Sequence, residues 1–141
     1  MAPPQELLAN VDLFRDLDKR ELREIAIAMK EYTFDAGREI VTQGQNGVGF
    51  FVIADGEARV ELHGERRATL RQGASFGEVA LLDETGRRSA SVIAESPMRV
   101  FGITAWQFTP LLEQNPAIAV KIAKGLARML REEQDRIAAV T

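Results

Sequence analysis

Two side chains of opposite charge, Glu78 and Arg88, stand ten residues apart and bracket a short apolar run, Val79 to Leu82. The surrounding stretch, 76–92, opens on Phe76-Gly77-Glu78 and closes on Arg87-Arg88-Ser89-Ala90-Ser91-Val92. A carboxylate accepts hydrogen bonds from hydroxyls, and a guanidinium grips a phosphate through two parallel N–H donors. Glycine at 77 lets a backbone approach a ligand more closely than any other residue would. Together these residue types suit a small ligand with a hydroxyl, an anionic phosphate and an apolar body. The bland alternative is that Arg88 is a surface residue or simply pairs with Glu78.

Composition narrows the chemistry. The 141 residues carry a formal net charge of −3, so no net positive field draws in a nucleic-acid backbone. Cysteine is absent and His63 is the only histidine, in the turn-like Leu62-His63-Gly64-Glu65. A thiolate metal site and a disulfide framework are therefore excluded, and no metal is expected. Hydrolytic chemistry would need a metal cluster or a positioned base, so the chain reads as a binding module and not an enzyme. The longest apolar run, Phe50 to Ala54, is far too short to span a bilayer. The first residues, Met1-Ala2-Pro3-Pro4-Gln5-Glu6, lack the pattern of a secretory leader, so a cytoplasmic location is expected.

Three segments must position the stretch at 76–92, and by length they form one domain, 1–141. Residues 5–33 read as a helical cap. Leu7, Leu8, Val11 and Phe14 share one face, and Leu22, Ile25, Ala26 and Met29 repeat the spacing after a break at Asp16–Asp18. Asp18 and Glu21 form a capping-box pattern for the second helix. Residues 34–103 read as short strands punctuated by glycine, the pattern of a sandwich or barrel. Residues 104–139 return to helical period. Thr104 is placed to cap a short helix, and Asn115-Pro116 to start a long one reaching about Ala139. At 1.5 Å per residue that last helix is about 36 Å long, more than a domain this size needs. Its distal half is expected to project, fold over a ligand or pair with a second copy.

With these segments in place, the chain resembles the cyclic nucleotide-binding domain family, in particular the sensor domain of bacterial cAMP-responsive regulators. The resemblance rests on Gly44, Phe50-Phe51-Val52-Ile53 and Gly56-Glu57-Ala58; on Gly73 before Phe76-Gly77-Glu78; and on Arg88-Ser89-Ala90-Ser91-Val92. It implies a mainly β fold with flanking helices: a β-roll, or jelly roll of the double-stranded β-helix type. The ligand it implies is cAMP, with cGMP as the lesser alternative. By the same resemblance Glu78 takes the ribose 2′-hydroxyl, Gly77 lets the chain pass close to the sugar, and Arg88 pairs with the cyclic phosphate. Ser89 and the N–H of Ala90 add donors, and the N–H groups at Glu78, Val79 and Ala80 face the phosphate. Many family members carry a proline before the phosphate arginine, where Gly86-Arg87 stands here.

Aligned from Asn115-Pro116 with the long helix of bacterial cAMP-responsive regulators, the last helix resembles theirs, and the resemblance implies that Met129, Glu133 and Gln134 stand near the positions that meet the base. Glu133 and Gln134 can accept from an adenine amine. The leading expectation is a non-enzymatic sensor whose C-terminal helix is repositioned by binding. A homodimer through that helix is the expected protein partner. The alternatives are a ligand-independent structural or protein-interaction domain of the same fold, or a fragment of a larger regulator. No DNA-binding segment and no membrane anchor is read in the chain.

Overall fold

The computed structural model describes residues 3–44, 49–82 and 88–139. Eight strands form two four-stranded sheets. The strands are β1 (Lys30–Phe34), β2 (Glu39–Val41), β3 (Gly49–Asp55), β4 (Ala58–Leu62), β5 (Glu65–Leu70), β6 (Ser75–Phe76), β7 (Ser91–Ala94) and β8 (Met98–Thr104). One sheet has the order β1-β8-β3-β6 and the other β2-β7-β4-β5. Every described pairing is antiparallel. This is the β-roll architecture expected of the sequence.

The continuous apolar run Phe50–Ala54 follows from burial on both faces of the first sheet. Phe50, Val52 and Ala54 join a core shared with the helices, whereas Ile53 joins the core between the two sheets. Strand β8 divides the same way, Phe101 and Ile103 to one side, Met98 and Val100 to the other. Period-two alternation sends successive side chains to opposite faces, so both sets are apolar when both faces are covered.

The helical cap is shorter than its expected span of 5–33. It comprises α1 (Gln5–Ala9), a 3-10 turn at Asp12–Phe14 and α2 (Lys19–Ala28). Residues 30–33 belong to β1, where Tyr32 is registered opposite Val100 of β8. Sheet pairing outweighs the helical spacing there, and the aromatic and β-branched run Tyr32-Thr33-Phe34 suits a strand. The capping box at the start of α2 forms in full: Asp18 Oδ1 accepts from Glu21 N and Glu21 Oε1 from Asp18 N, each at 2.9 Å.

Helices α3 (Ala105–Gln114) and α4 (Pro116–Ala139) complete the chain. Thr104 caps α3 as expected, with Gln107 as its capping-box partner. Asn115 and Pro116 stand where expected, just before and at the start of α4, and the Asn115 side-chain amide also donates back to Leu111 O of α3 at 2.8 Å. Its backbone carbonyl accepts from Ile118 and Ala119 at the start of α4. The proximal half of α4 packs through Ile118 and Ile122 into the helical core. Residues 130–139 are all exposed.

Candidate functional site

The stretch at 76–92 begins where β6 pairs with β3, Phe76 opposite Phe51. The chain then turns at Gly77 with φ of +92°, a conformation that favours glycine. A Cβ placed there would lie 2.4 Å from Gly49 O and 2.7 Å from Arg88 Nη1. Glycine 77 is therefore required both by its backbone angle and by what lies against it. A 3-10 turn at Glu78–Leu81 follows, closed at its start by Ala80 N donating to Gly77 O at 3.0 Å. Leu81, fully buried, anchors the turn in the helical core, and Ala80 is buried beside it in sequence. The residues at 83–87 lie outside the described part of the chain, Arg87 among them.

Arg88 is half-buried and held at both ends. Its Nη2 donates to Gly49 O at 2.7 Å, and its own backbone carbonyl accepts from Gly44 N at 2.9 Å. Burial pushes the guanidinium below its usual pKa, and the nearby Glu78 carboxylate partly offsets this by favouring the charge. Arginine stays protonated under either influence. Its Nε is buried without a hydrogen-bond partner. An unsatisfied buried donor costs about 1–3 kcal/mol, and more for a charged group.

The flanking strand is fixed by contacts that no sequence motif announced. Ser91 Oγ accepts from Gln43 N at 2.8 Å, and Gln43 Oε1 accepts from His63 N at 2.8 Å. Gln43 thus ties the segment after Arg88 to the β4–β5 hairpin, whose tip residue His63 has φ of +53°. Neither Gln43 nor the Gly49 carbonyl was singled out from sequence. The only signal near Gln43 was the glycine at 44.

The structure gathers Gly77, Glu78 and Arg88 into one place, with Ser89 exposed and Ala90 half-buried next along the chain. Val79 contributes its backbone to the 3-10 turn. The three residues expected at the base lie on a different element. Met129 is half-buried against the helical core, and Glu133 and Gln134 are exposed. Glu133 pairs with Arg136, Arg136 Nε donating to its Oε2 at 3.1 Å.

Contacts with the cap hold α4 in its position. Lys121 Nζ lies 2.6 Å from Glu21 Oε1. Arg128 donates to Asp16 Oδ2 at 2.9 Å and to Asp12 O at 3.1 Å. Gly125 packs so tightly on the 3-10 turn that a Cβ would lie 2.8 Å from Leu13 O. Among the described residues no cluster of His, Cys, Asp and Glu could hold a metal, and no helix is long and apolar enough to cross a membrane.

Comparison with known proteins identifies the family. Residues 31–115 match the family described as "Cyclic nucleotide-binding domain". The chain is 34% identical over 126 residues to Glutaminase 1 of Bradyrhizobium diazoefficiens, covering 89% of this chain and 20% of that protein. It is 37% identical over 95 residues to a cAMP-dependent protein kinase regulatory subunit of Yarrowia lipolytica, covering 66% of this chain and 25% of that one. The chain thus spans a fifth to a quarter of the length of these relatives. Among solved structures, the Thermus thermophilus catabolite activator protein superposes with a TM-score of 0.75 at 30% identity, over 92% of this chain and 62% of that one. The family match spans more than half of the chain, and the chain belongs to the cyclic nucleotide-binding domain family.

Proposed function

We propose that this domain is a cyclic nucleotide sensor whose ligand is cAMP in preference to cGMP. The observation that carries the reading is Arg88, a half-buried cation with an unpaired Nε, set against Gly77 and beside Glu78. Arg88 takes the cyclic phosphate, Glu78 accepts from the ribose 2′-hydroxyl, and Gly77 leaves room for the sugar. Ser89 and the N–H groups of Val79 and Ala90 add donors, the Ala80 N–H being engaged with Gly77 O. The base end falls to Met129, Glu133 and Gln134. Glu133 and Gln134 can accept from an adenine amine, which supports cAMP. Similarity extends to both cAMP- and cGMP-dependent kinases, so it supports a cyclic nucleotide as ligand without choosing between the two.

Binding repositions α4, whose last residues, 130–139, are exposed. A switch of that kind requires the ligand to favour one position of α4 over another. The domain acts in the cytoplasm as a regulatory module without catalysis of its own, and a second copy meets it through α4. Titration calorimetry with cAMP and cGMP tests the ligand. The expected result is saturable binding of both, tighter for cAMP. Absence of heat with either nucleotide at millimolar concentration would leave a ligand-independent domain as the better reading.

A further inference from the structure

Three strands of the sheet β2-β7-β4-β5 come together at the end where the cassette enters it. There β2 finishes at Val41, registered opposite Val92, and β7 begins at Ser91, registered opposite Glu61 of β4. Arg88 stands three residues before β7, so the phosphate half of the cassette joins the sheet at this end. Gln43, two residues beyond β2, spans the start of β7 and bonds the β4–β5 turn on its far side.

Two consecutive backbone N–H groups of the spanning segment hold the cassette. Gly44 N donates to Arg88 O at 2.9 Å, and Gln43 N donates to Ser91 Oγ at 2.8 Å. Residues 88–91 are thus gripped at both ends, with Ser89 and Ala90 between.

The segment is anchored in turn by one side chain. Gln43 Oε1 accepts from His63 N at 2.8 Å, and Gln43 Nε2 lies 3.4 Å from His63 Nδ1. His63 and Gly64, both with positive φ, form the two-residue turn between the paired residues Leu62 and Glu65. A hairpin turn of this type closes its ladder at the flanking pair, which leaves the His63 N–H for Gln43. The turn is itself held to the cassette's strand, since β4 pairs with β7 from Ala58–Ala94 to Glu61–Ser91.

His63 is therefore a fixed post for Gln43. Without the Gln43 side chain, the segment at 43–44 loses that post and the Arg88 carbonyl loses a fixed donor. The guanidinium keeps its bond to Gly49 O, but from a looser backbone. A site held in shape before its ligand arrives binds more tightly than one that the ligand must order. Glu78 begins the 3-10 turn after β6, at the other end of the cassette, where this anchor does not act.

We infer that Gln43 is a positioning residue for the Arg88 half of the nucleotide site. It acts through the N–H groups at 43 and 44 and is anchored on the backbone of the β4–β5 turn. The inference rests on the proposed role of Arg88 in holding the cyclic phosphate.

Gln43→Met tests it, because methionine keeps the length of the side chain and removes the acceptor for His63 N. Titration calorimetry with cAMP should show binding about 3- to 10-fold weaker, the scale of one lost hydrogen bond. The same loss is expected with 2′-deoxy-cAMP, which lacks the hydroxyl assigned to Glu78. Gln43→Glu, which keeps the acceptor, should bind within about twofold of wild type. Amide exchange without nucleotide should quicken at residues 88–91 in Gln43→Met and stay unchanged in β3 and β8.

Wild-type affinity in Gln43→Met overturns the inference. A loss seen with cAMP but absent with 2′-deoxy-cAMP also overturns it, since the effect would then lie at the Glu78 end. Equal losses in Gln43→Met and Gln43→Glu overturn the anchoring on His63 N. A wild type that takes up neither nucleotide overturns the sensor reading itself. The exchange measurement, made without nucleotide, separates that failure from failure of the anchor.

Discussion

Arg88 donates from Nη2 to the carbonyl oxygen of Gly49 at 2.7 Å, and 39 residues of chain separate the two. The bond sets the guanidinium against Gly77 and leaves its Nε without a protein partner. The first residue of β3 therefore orients the cation of a cassette that begins after β6.

Gly77→Ala should disturb both fold and site. The added methyl meets a backbone oxygen at 2.4 Å and Arg88 Nη1 at 2.7 Å, on a residue with φ of +92°. The oxygen belongs to a sheet strand and cannot yield cheaply. Strain and displacement together should cost about 2 kcal/mol or more in urea unfolding. The affinity for cAMP should fall at least tenfold, because Arg88 is pushed off its seat. Unchanged stability and affinity would show that the turn relaxes freely.

Gly125→Ala pits two effects against each other. Alanine is favoured over glycine inside a helix by about 1 kcal/mol. Its methyl would lie 2.8 Å from Leu13 O, however, and that carbonyl is backbone. Overpacking of this sort costs about 1–3 kcal/mol, so the clash should win or at best cancel the gain. The expected outcome is a lower thermal midpoint and faster amide exchange along α4. A midpoint raised by several degrees would mean that α4 sits less tightly on the cap than the structure has it.

The capping box and the long-range ion pair give the cap an acid-sensitive contribution. Glu21 has its pKa lowered, first by the hydrogen bond from Asp18 N and then by Lys121. Asp18 is lowered by the bond from Glu21 N, and Asp16 by Arg128. A carboxylate depressed in the folded state adds stability that is present above its unfolded pKa, about 3.9–4.3. That stability is lost as pH falls through the folded value. Wild type should therefore lose thermal stability progressively below about pH 4. Glu21→Gln should be less stable at neutral pH and show a shallower acid limb. Parallel curves for the two proteins would show that Glu21 does not carry this dependence.

Much of this arrangement was legible in the sequence, for identifiable reasons. Strands were readable because glycine turns separate short β-branched and aromatic runs, and caps because Asp18-Glu21 and Thr104-Gln107 are local patterns. Gly77, Glu78 and Arg88 were legible because they lie within one short stretch. What escaped was backbone and distance. The acceptor for Arg88 is a carbonyl, which every residue possesses and no residue type marks. Gln43 acts through its amide N–H and an ordinary side chain. Lys121 and Glu21 meet across 100 residues, and Arg128 and Asp16 across 112. Such pairs emerge only once the cap and α4 are packed together. The end of the cap was misplaced for a related reason, since pairing with β8 decides the state of residues 30–33.

The central claim is that Arg88 binds the cyclic phosphate. Titration calorimetry of wild type and Arg88→Ala with cAMP tests it most directly, with circular dichroism confirming that the variant is folded. Removing one partner of a buried charge pair costs roughly 2–5 kcal/mol. The variant should therefore bind roughly 30- to 4,000-fold more weakly. A folded Arg88→Ala that binds cAMP as tightly as wild type would contradict the account.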